Sequence, residues 1–436
     1  MSRSRFEDER RPLHSHAGRG PIAWGILLAI PLLTAACTES PAPREVATTV
    51  VFKHGKLFGD TTAFEGLLGQ FEREHPGVRV RSESLPAASD AQHQFYAISL
   101  SARSAEFDVL ALDVIWVAEF ARAGWLRDLS ALLPAAERAQ FFSGPIEAVT
   151  WEGKPYALPW FMDAGVLYYR KDLLDKHGFV PPKTWPELAR IAQAVRDKES
   201  GMHGFVWQGK QYEGLVCNAL EYLWSNGGGA VDSDTIALNT AANREALAFV
   251  RSLLTSGVTP EFVTTLTEEP AREVFGRGAA VFLRNWPYAW QLFEQEGSAV
   301  RGKVGVSVLP HFPGQRSAAT LGGWQLGVSK FSKHPQAAEQ LVKFLTSSGA
   351  QRVLALAYGY NPPRHALYQD GELLAVQPHL RTLETVYAHA RPRPVTPHYV
   401  RLSQILQAEF SAAVTGVKTP GEALASAQRE ARQRLP

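Results

Sequence analysis

Phe107-Asp108-Val109-Leu110-Ala111-Leu112 is an apolar run with one early acid, and Asp113 closes it. A continuous run of this length reads as a strand buried on both faces. Downstream, residues 114–123 have helical spacing and stop at Gly124. Upstream, residues 90–103 are helical and Val78-Arg79-Val80 opens another strand. Phe64, Leu67, Leu68 and Phe71 mark one helix face, and Pro76-Gly77 stops it. Val46–Phe52 is the first strand candidate. The resulting β-α-β-α-β order is that of a doubly wound, mainly parallel α/β sheet flanked by helices.

Later segments keep the alternation. Thr184-Trp185-Pro186-Glu187 has capping-box spacing and opens a helix on Leu188, Ile191 and Val195. Pro335 starts a helix expected to end at Gly349. Another begins near residue 399 and stops at Gly416, and a last one starts near Pro420. No repeat and no single linker divides the 436 residues, although that length predicts more than one lobe.

Composition narrows the function. Lys plus Arg number 45 against 43 Asp plus Glu, a net charge of +2, which argues against a nucleic-acid surface. Two cysteines make no disulfide framework. Eleven Trp, twelve Tyr and twenty-two Phe make aromatic residues the conspicuous class. There is no P-loop, no G-x-S-x-G elbow and no H-E-x-x-H, and the histidines are scattered, so neither a cofactor nor a metal is expected. Asp232-Ser233-Asp234 begins like a calcium loop, but Ala237 stands where that loop needs Gly. Two carboxylates of a glycosidase are not excluded by counting, and nothing local singles them out.

The first residues read as an export signal. Arg3, Arg5, Arg10, Arg11 and Arg19 precede an uncharged stretch, Pro21–Ala36, too short and too Pro-interrupted to span a bilayer comfortably. It ends in Leu33-Thr34-Ala35-Ala36-Cys37, which resembles a bacterial lipobox, with Thr34 where Leu is commoner. The expectation is a signal peptide over 1–36, lipidation of Cys37, and a tether over 37–45. Removing 1–36 takes away five basic and three acidic residues and leaves 40 of each. Cys217 then has no partner and, with Val216 and Leu220 beside it, reads as a buried thiol.

Several blocks, in order, resemble the bacterial extracellular solute-binding proteins of sugar ABC importers, and most of all the trehalose/maltose-binding lipoproteins. They are Phe107–Val117, Trp151–Trp160, Asp163-Ala164-Gly165, Leu167–Leu174, Pro182–Trp185, Gln208–Leu215, Arg284-Asn285-Trp286-Pro287-Tyr288 and Gly322-Gly323-Trp324. The resemblance covers nearly all of the mature chain. It implies a two-lobe periplasmic-binding-protein fold with ligand in the cleft between the lobes. By resemblance the chain crosses between lobes near Tyr156–Pro159, Ser317–Leu321 and Tyr358–Pro362. The lobes would then be 46–157 plus 318–357 and 158–317 plus 358–436.

An uncharged sugar needs carboxylates and amides for its hydroxyls and rings under its C–H faces. Asp113 ends a predicted parallel strand, where doubly wound sheets place ligands, although it also suits the N-cap of the 114–123 helix. Asp163 matches a sugar-contacting Asp of the family, or is a turn residue before Ala164-Gly165. Phe161 stands where relatives often carry Tyr, which removes one donor. Trp286 beside Pro287 is a stacking candidate outside any helical stripe. Trp324 follows Gly322 and Gly323, whose missing side chains let ligand reach the backbone, or else packs beneath a tight turn. Arg393 presents a fork from the second lobe, or pairs on the surface. Asp60 sits where relatives more often have Glu, and N-capping would explain it alone. Tyr212 and Glu213 line the cleft or support its interior. Trp116, Trp125, Trp185 and Trp224 read mostly as core.

The expected protein is a monomeric, non-enzymatic receptor, exported to the periplasm or cell surface and lipid-anchored. It captures a disaccharide such as trehalose or maltose, closes on it, and delivers it to permease subunits driven by a cytoplasmic ATPase. The alternatives are an exported carbohydrate hydrolase, or a receptor for maltodextrin, a glycoside or glycerol phosphate.

Overall fold

In chain order the strands are β1 (Thr48–Gly55), β2 (Val78–Leu85), β3 (Val109–Asp113), β4 (Thr150–Trp151), β5 (Lys154–Pro155), β6 (Ala157–Ala164) and β7 (Val166–Arg170). They continue with β8 (His203–Val206), β9 (Val231–Asp232), β10 (Thr235–Ile236), β11 (Ala280–Asn285), β12 (Val304–Ser307), β13 (Ala319–Val328) and β14 (Ala390–Arg391). This computed structural model describes residues 47–57, 60–229, 231–232 and 235–435. The signal peptide, Cys37 and the tether lie outside the described residues, as do Ser233 and Asp234 of the calcium-like run.

The first sheet has the order β14-β13-β3-β1-β2, with β6 also paired to β13. β1 runs parallel to both β2 and β3, as the opening alternation requires. All five residues of β3 are buried, as expected of a strand covered on both faces. β2 lies at the edge and turns Arg79, Arg81 and Glu83 outward, which discourages edge pairing. The sheet is mixed rather than mainly parallel, because β13 returns from the second sheet and pairs antiparallel with both β3 and β6. The second sheet, β12-β7-β11-β8, is likewise mixed, with only β8 and β11 parallel.

Local signals set most helices. Helix Thr62–Glu74 buries Phe64, Leu67, Leu68 and Phe71, each worth about 1.5–3 kcal/mol. Thr184 and Glu187 form the expected reciprocal capping box of helix Trp185–Arg196. Two boundaries differ. The helix after β3 is Val117–Arg122, because Val114–Trp116 make a turn first. The helix from Pro335 ends at Leu345, and Ser347 caps a second helix, Ser348–Tyr358, that runs through Gly349.

Strand pairing also shows where the chain changes sheets. β6 pairs with β13 through Ala164 and β7 pairs in the second sheet, so the chain changes sheets at Gly165. The return lies between β12 and β13, next to the expected Ser317–Leu321. After Tyr358 the chain touches both sides: Asn361 O accepts from Met162 N at 2.9 Å and β14 pairs with β13, while the His379 ring lies 4.6 Å from that of Trp290, just past β11. Helices Tyr399–Thr415 and Pro420–Arg434 pack against helices Glu213–Trp224 and Ala241–Thr255 beyond the second sheet. Arg393 lies between β14 and helix Tyr399–Thr415. Strand partners, not local pattern, set these points.

Candidate functional site

The middle of β13 collects most of the predicted residues. Trp324 sits opposite Asp113 of β3 on one side and Phe161 of β6 on the other, and Gly322 sits opposite Asp163. Gly322 and Gly323 therefore belong to an extended strand, not a turn. Gly323 has φ +122°, and a Cβ there would lie 2.5 Å from Phe161 O, so only glycine fits. A Cβ on Gly322 would lie 3.1 Å from the Trp286 ring. Trp286, just past the end of β11, thus brings the second sheet against the first.

Trp286 is half-buried and firmly held. Its N–H donates to Asn285 Oδ1 at 2.8 Å, and its carbonyl accepts from Tyr168 OH at 2.9 Å. The Arg284 guanidinium lies 4.1 Å from the ring centre, a cation–π contact. Arg284 itself is buried, donates through Nε to Glu221 Oε2 at 2.8 Å and through Nη2 to Oε1, and reaches Gln208 Oε1 at 3.1 Å. Glu221 Oε1 also accepts from Thr320 N at 3.1 Å, which ties the start of β13 to this pair. Gly165 passes so close that a Cβ would meet Glu221 Oε1 at 2.1 Å. The chain can change sheets there only as glycine.

The acids differ in their surroundings. Asp113 accepts from Ile115 N at 3.3 Å and from Arg393 Nη2 at 3.2 Å. It does not cap the following helix, whose N-cap is Trp116. Burial pushes the Asp113 carboxyl up, Arg393 pulls it back, and Glu213 adds to the rise. Asp163 is half-buried, and Asn361 Nδ2 donates to it at 3.4 Å. Its pKa is raised to about 7, chiefly by burial, against the pull of Asn361 and Arg284. Arg393 is 4% exposed, so surface pairing is excluded; its Nη1 donates to Glu213 Oε1 at 2.7 Å. Glu213 therefore supports the interior.

The rings complete the walls. Trp324 is half-buried and meets Trp116 edge-on at 5.6 Å. Phe161 stacks on Tyr360 at 4.1 Å, so a neighbouring phenol stands where Phe161 lacks one. Trp116, Trp185 and Trp224 are buried as expected, and Trp125 is half-buried. Cys217 is buried too, which pushes its thiol up.

Asp60 stands apart. It is exposed, and its Oδ1 accepts from Thr62 N at 2.9 Å and Thr62 Oγ1 at 2.6 Å, at the start of helix Thr62–Glu74. It borders a separate groove of about 730 Å³ between that helix and β2, lined by His54, Lys56, Thr61, Phe64 and Ser82 among others. The residues not singled out beforehand are Glu221, Arg284, Tyr360 and Asn361. Glu221 as the one acid of the apolar run 215–224 in helix Glu213–Trp224, and Arg284 as the one base of strand Ala280–Asn285, were the available signals for the first two. Among the described residues no group of three or more His, Cys, Asp or Glu is placed to hold a metal ion.

Two sheets joined by several passages, with rings and carboxylates converging between them, define a solute-binding protein. Residues 56–352 match the model of the bacterial extracellular solute-binding protein family, and the chain belongs to that family. A Deinococcus radiodurans protein named "Probable ABC transporter-binding protein" is 42% identical over 80% of this chain and 84% of its own. The mannitol-binding protein of Pseudomonas aeruginosa is 23% identical over 91% of this chain and 95% of its own. Among solved structures, maltose-bound T. maritima MalE3 is 42% identical, with a TM-score of 0.85, over 89% of this chain and all of that one. The family resemblance and the two-lobe α/β fold read from the sequence are borne out.

Proposed function

We propose that this chain is the exported receptor of an ABC importer that captures a disaccharide, maltose or trehalose, between its two sheets and hands it to permease subunits driven by a cytoplasmic ATPase. The observation that carries this is the gathering of Asp113, Asp163, Trp286 and Trp324 about the Gly322-Gly323-Trp324 stretch of β13. The two acids accept hydroxyl hydrogen bonds and the rings lie under C–H faces, while the glycines, buried rather than open to ligand as expected from the sequence, let β6 and Trp286 close on β13. A few hydrogen bonds at about 1 kcal/mol each, up to about 3 when charged, plus stacking, reach the roughly −8 kcal/mol of a micromolar ligand. The 42% identity to a maltose-bound protein supports the choice of sugar, and the ABC naming of the Deinococcus relative supports the importer. The lipobox ending at Cys37 supports a lipid anchor, and among the described residues no helix is long and apolar enough to cross a membrane.

Isothermal calorimetry against maltose, trehalose, maltotriose, mannitol and glycerol phosphate tests the reading. Binding of maltose or trehalose with a matching change in Trp fluorescence is expected. A preference for mannitol would shift the ligand to polyols, as the Pseudomonas relative's name suggests for that protein. No binding to any of the five would overturn the proposal. Release of glucose from bound maltose would replace the receptor by a hydrolase.

A further inference from the structure

The polar cluster behind Asp113 is larger than a single acid reading a hydroxyl requires. Both hydrogen bonds that Asp113 accepts fall on Oδ1, from Ile115 N and from Arg393 Nη2. Among the described residues none donates to Oδ2, and the side chain keeps 13% of its exposure. A guanidinium beside a carboxylate ordinarily closes on both oxygens. Arg393 does not close through its Nη1–Nη2 edge, because Nη1 is held by Glu213 Oε1 at 2.7 Å; its Nε bonds to none of the described residues.

Glu213 is itself fixed. It is the first residue of helix Glu213–Trp224, is buried, and accepts from Tyr399 OH at 2.7 Å on Oε1 and from Ser403 OH on Oε2. Tyr399 and Ser403 belong to helix Tyr399–Thr415, directly after the passage that carries Arg393. Two carboxylates from the two sides of the molecule thus divide one fork.

We propose that Glu213 is a positioning residue for sugar capture: by holding one arm of Arg393 it prevents a bidentate closure on Asp113 and leaves Asp113 Oδ2 to accept a sugar hydroxyl. Without Glu213, the free arm of Arg393 turns to Oδ2 and competes with the sugar for it. The effect passes through the geometry of the fork, so it requires a side chain that has two arms. Lysine at 393 offers one compact ammonium and cannot close on both oxygens in a plane. This role rests on the sugar reading above.

Maltose and trehalose titrations on four proteins test it: wild type, Glu213→Gln, Arg393→Lys, and the double variant, each with thermal unfolding recorded without sugar. Glu213→Gln is expected to weaken binding at least about tenfold, the scale of one charged hydrogen bond. In the Arg393→Lys background the same change is expected to cost less than about twofold, a non-additivity that general loss of packing does not produce. Should Glu213→Gln unfold at the assay temperature, Glu213→Asp, which keeps the charge but withdraws it from Arg393, carries the same expectation. An equal loss in both backgrounds, or wild-type affinity in a folded Glu213→Gln, overturns the positioning role while leaving the sugar reading intact. A wild type that binds neither sugar overturns the sugar reading and this role with it.

Discussion

Asp163 joins stability, affinity and pH in one testable relation. Its pKa is raised from 3.8 to about 7, chiefly by burial. Above about pH 7 the folded and unfolded states both hold it ionised, and the fold bears the full burial cost. Between pH 7 and 4 the folded protein holds a proton that the unfolded chain has lost. Stability from this group therefore rises as pH falls through 7 and levels off near 4. Three pKa units correspond to roughly 4 kcal/mol, reduced to about 2–4 by the solvent contact of a half-buried carboxyl. For a chain of this size that is about 2–5 °C in Tm. Affinity moves the other way, because a sugar hydroxyl donates to the ionised form, and binding weakens up to about tenfold per pH unit below 7. Asp163→Asn is expected to raise the apo Tm at about pH 8 by most of that amount and to flatten both trends. Scanning calorimetry without sugar and maltose titration from about pH 5 to pH 8.5 measure the two arms. The wild-type minus variant difference isolates Asp163 from Asp113 and Glu268, whose carboxyls burial also raises. If Asp163→Asn keeps the wild-type pH trend in both stability and affinity, the assignment is wrong.

Three further outcomes follow from the same geometry. Glu221→Ala strands the buried Arg284 and is expected to cost about 3–5 kcal/mol in thermal or urea unfolding, much of it recovered in the double variant with Arg284→Met. Gly323→Ala must place a Cβ 2.5 Å from Phe161 O at φ +122°, so it is expected to lower Tm and abolish maltose binding together. Trp286→Ala is expected to stay folded, lose the ligand-linked fluorescence change, and bind maltose about tenfold less tightly by titration.

The helices that announced themselves did so through local chemistry. The capping box at Thr184-Glu187 and the left-handed Gly416 act within one turn, so their residues alone suffice. The same holds for β1 and β3, whose apolar runs are short and continuous, and for the edge strand β2, whose Val78-Arg79-Val80 start alternates apolar and charged residues. Gly349 misled because a glycine is also tolerated in the first turn of a new helix, and Ser347 supplied the cap. Of the site, Asp113, Phe161, Asp163, Trp286, Gly322, Gly323, Trp324 and Arg393 converge near β13, but they were legible through family resemblance more than through pattern. Asp60, expected with them, sits at a helix start, bonded to Thr62.

By itself the sequence determined the alternation of strand and helix, the class of fold and the aromatic-and-acid character of the site, because each depends on side chains within a few residues of one another. Only the tertiary structure decided that β6 and β14 remain with the first sheet, that Gly165 is a crossing point, and that Arg393 is a buried fork shared by two acids. Those facts are made of hydrogen bonds between residues far apart in the chain, such as Arg393 with Asp113 and Glu213, and no local spacing encodes them.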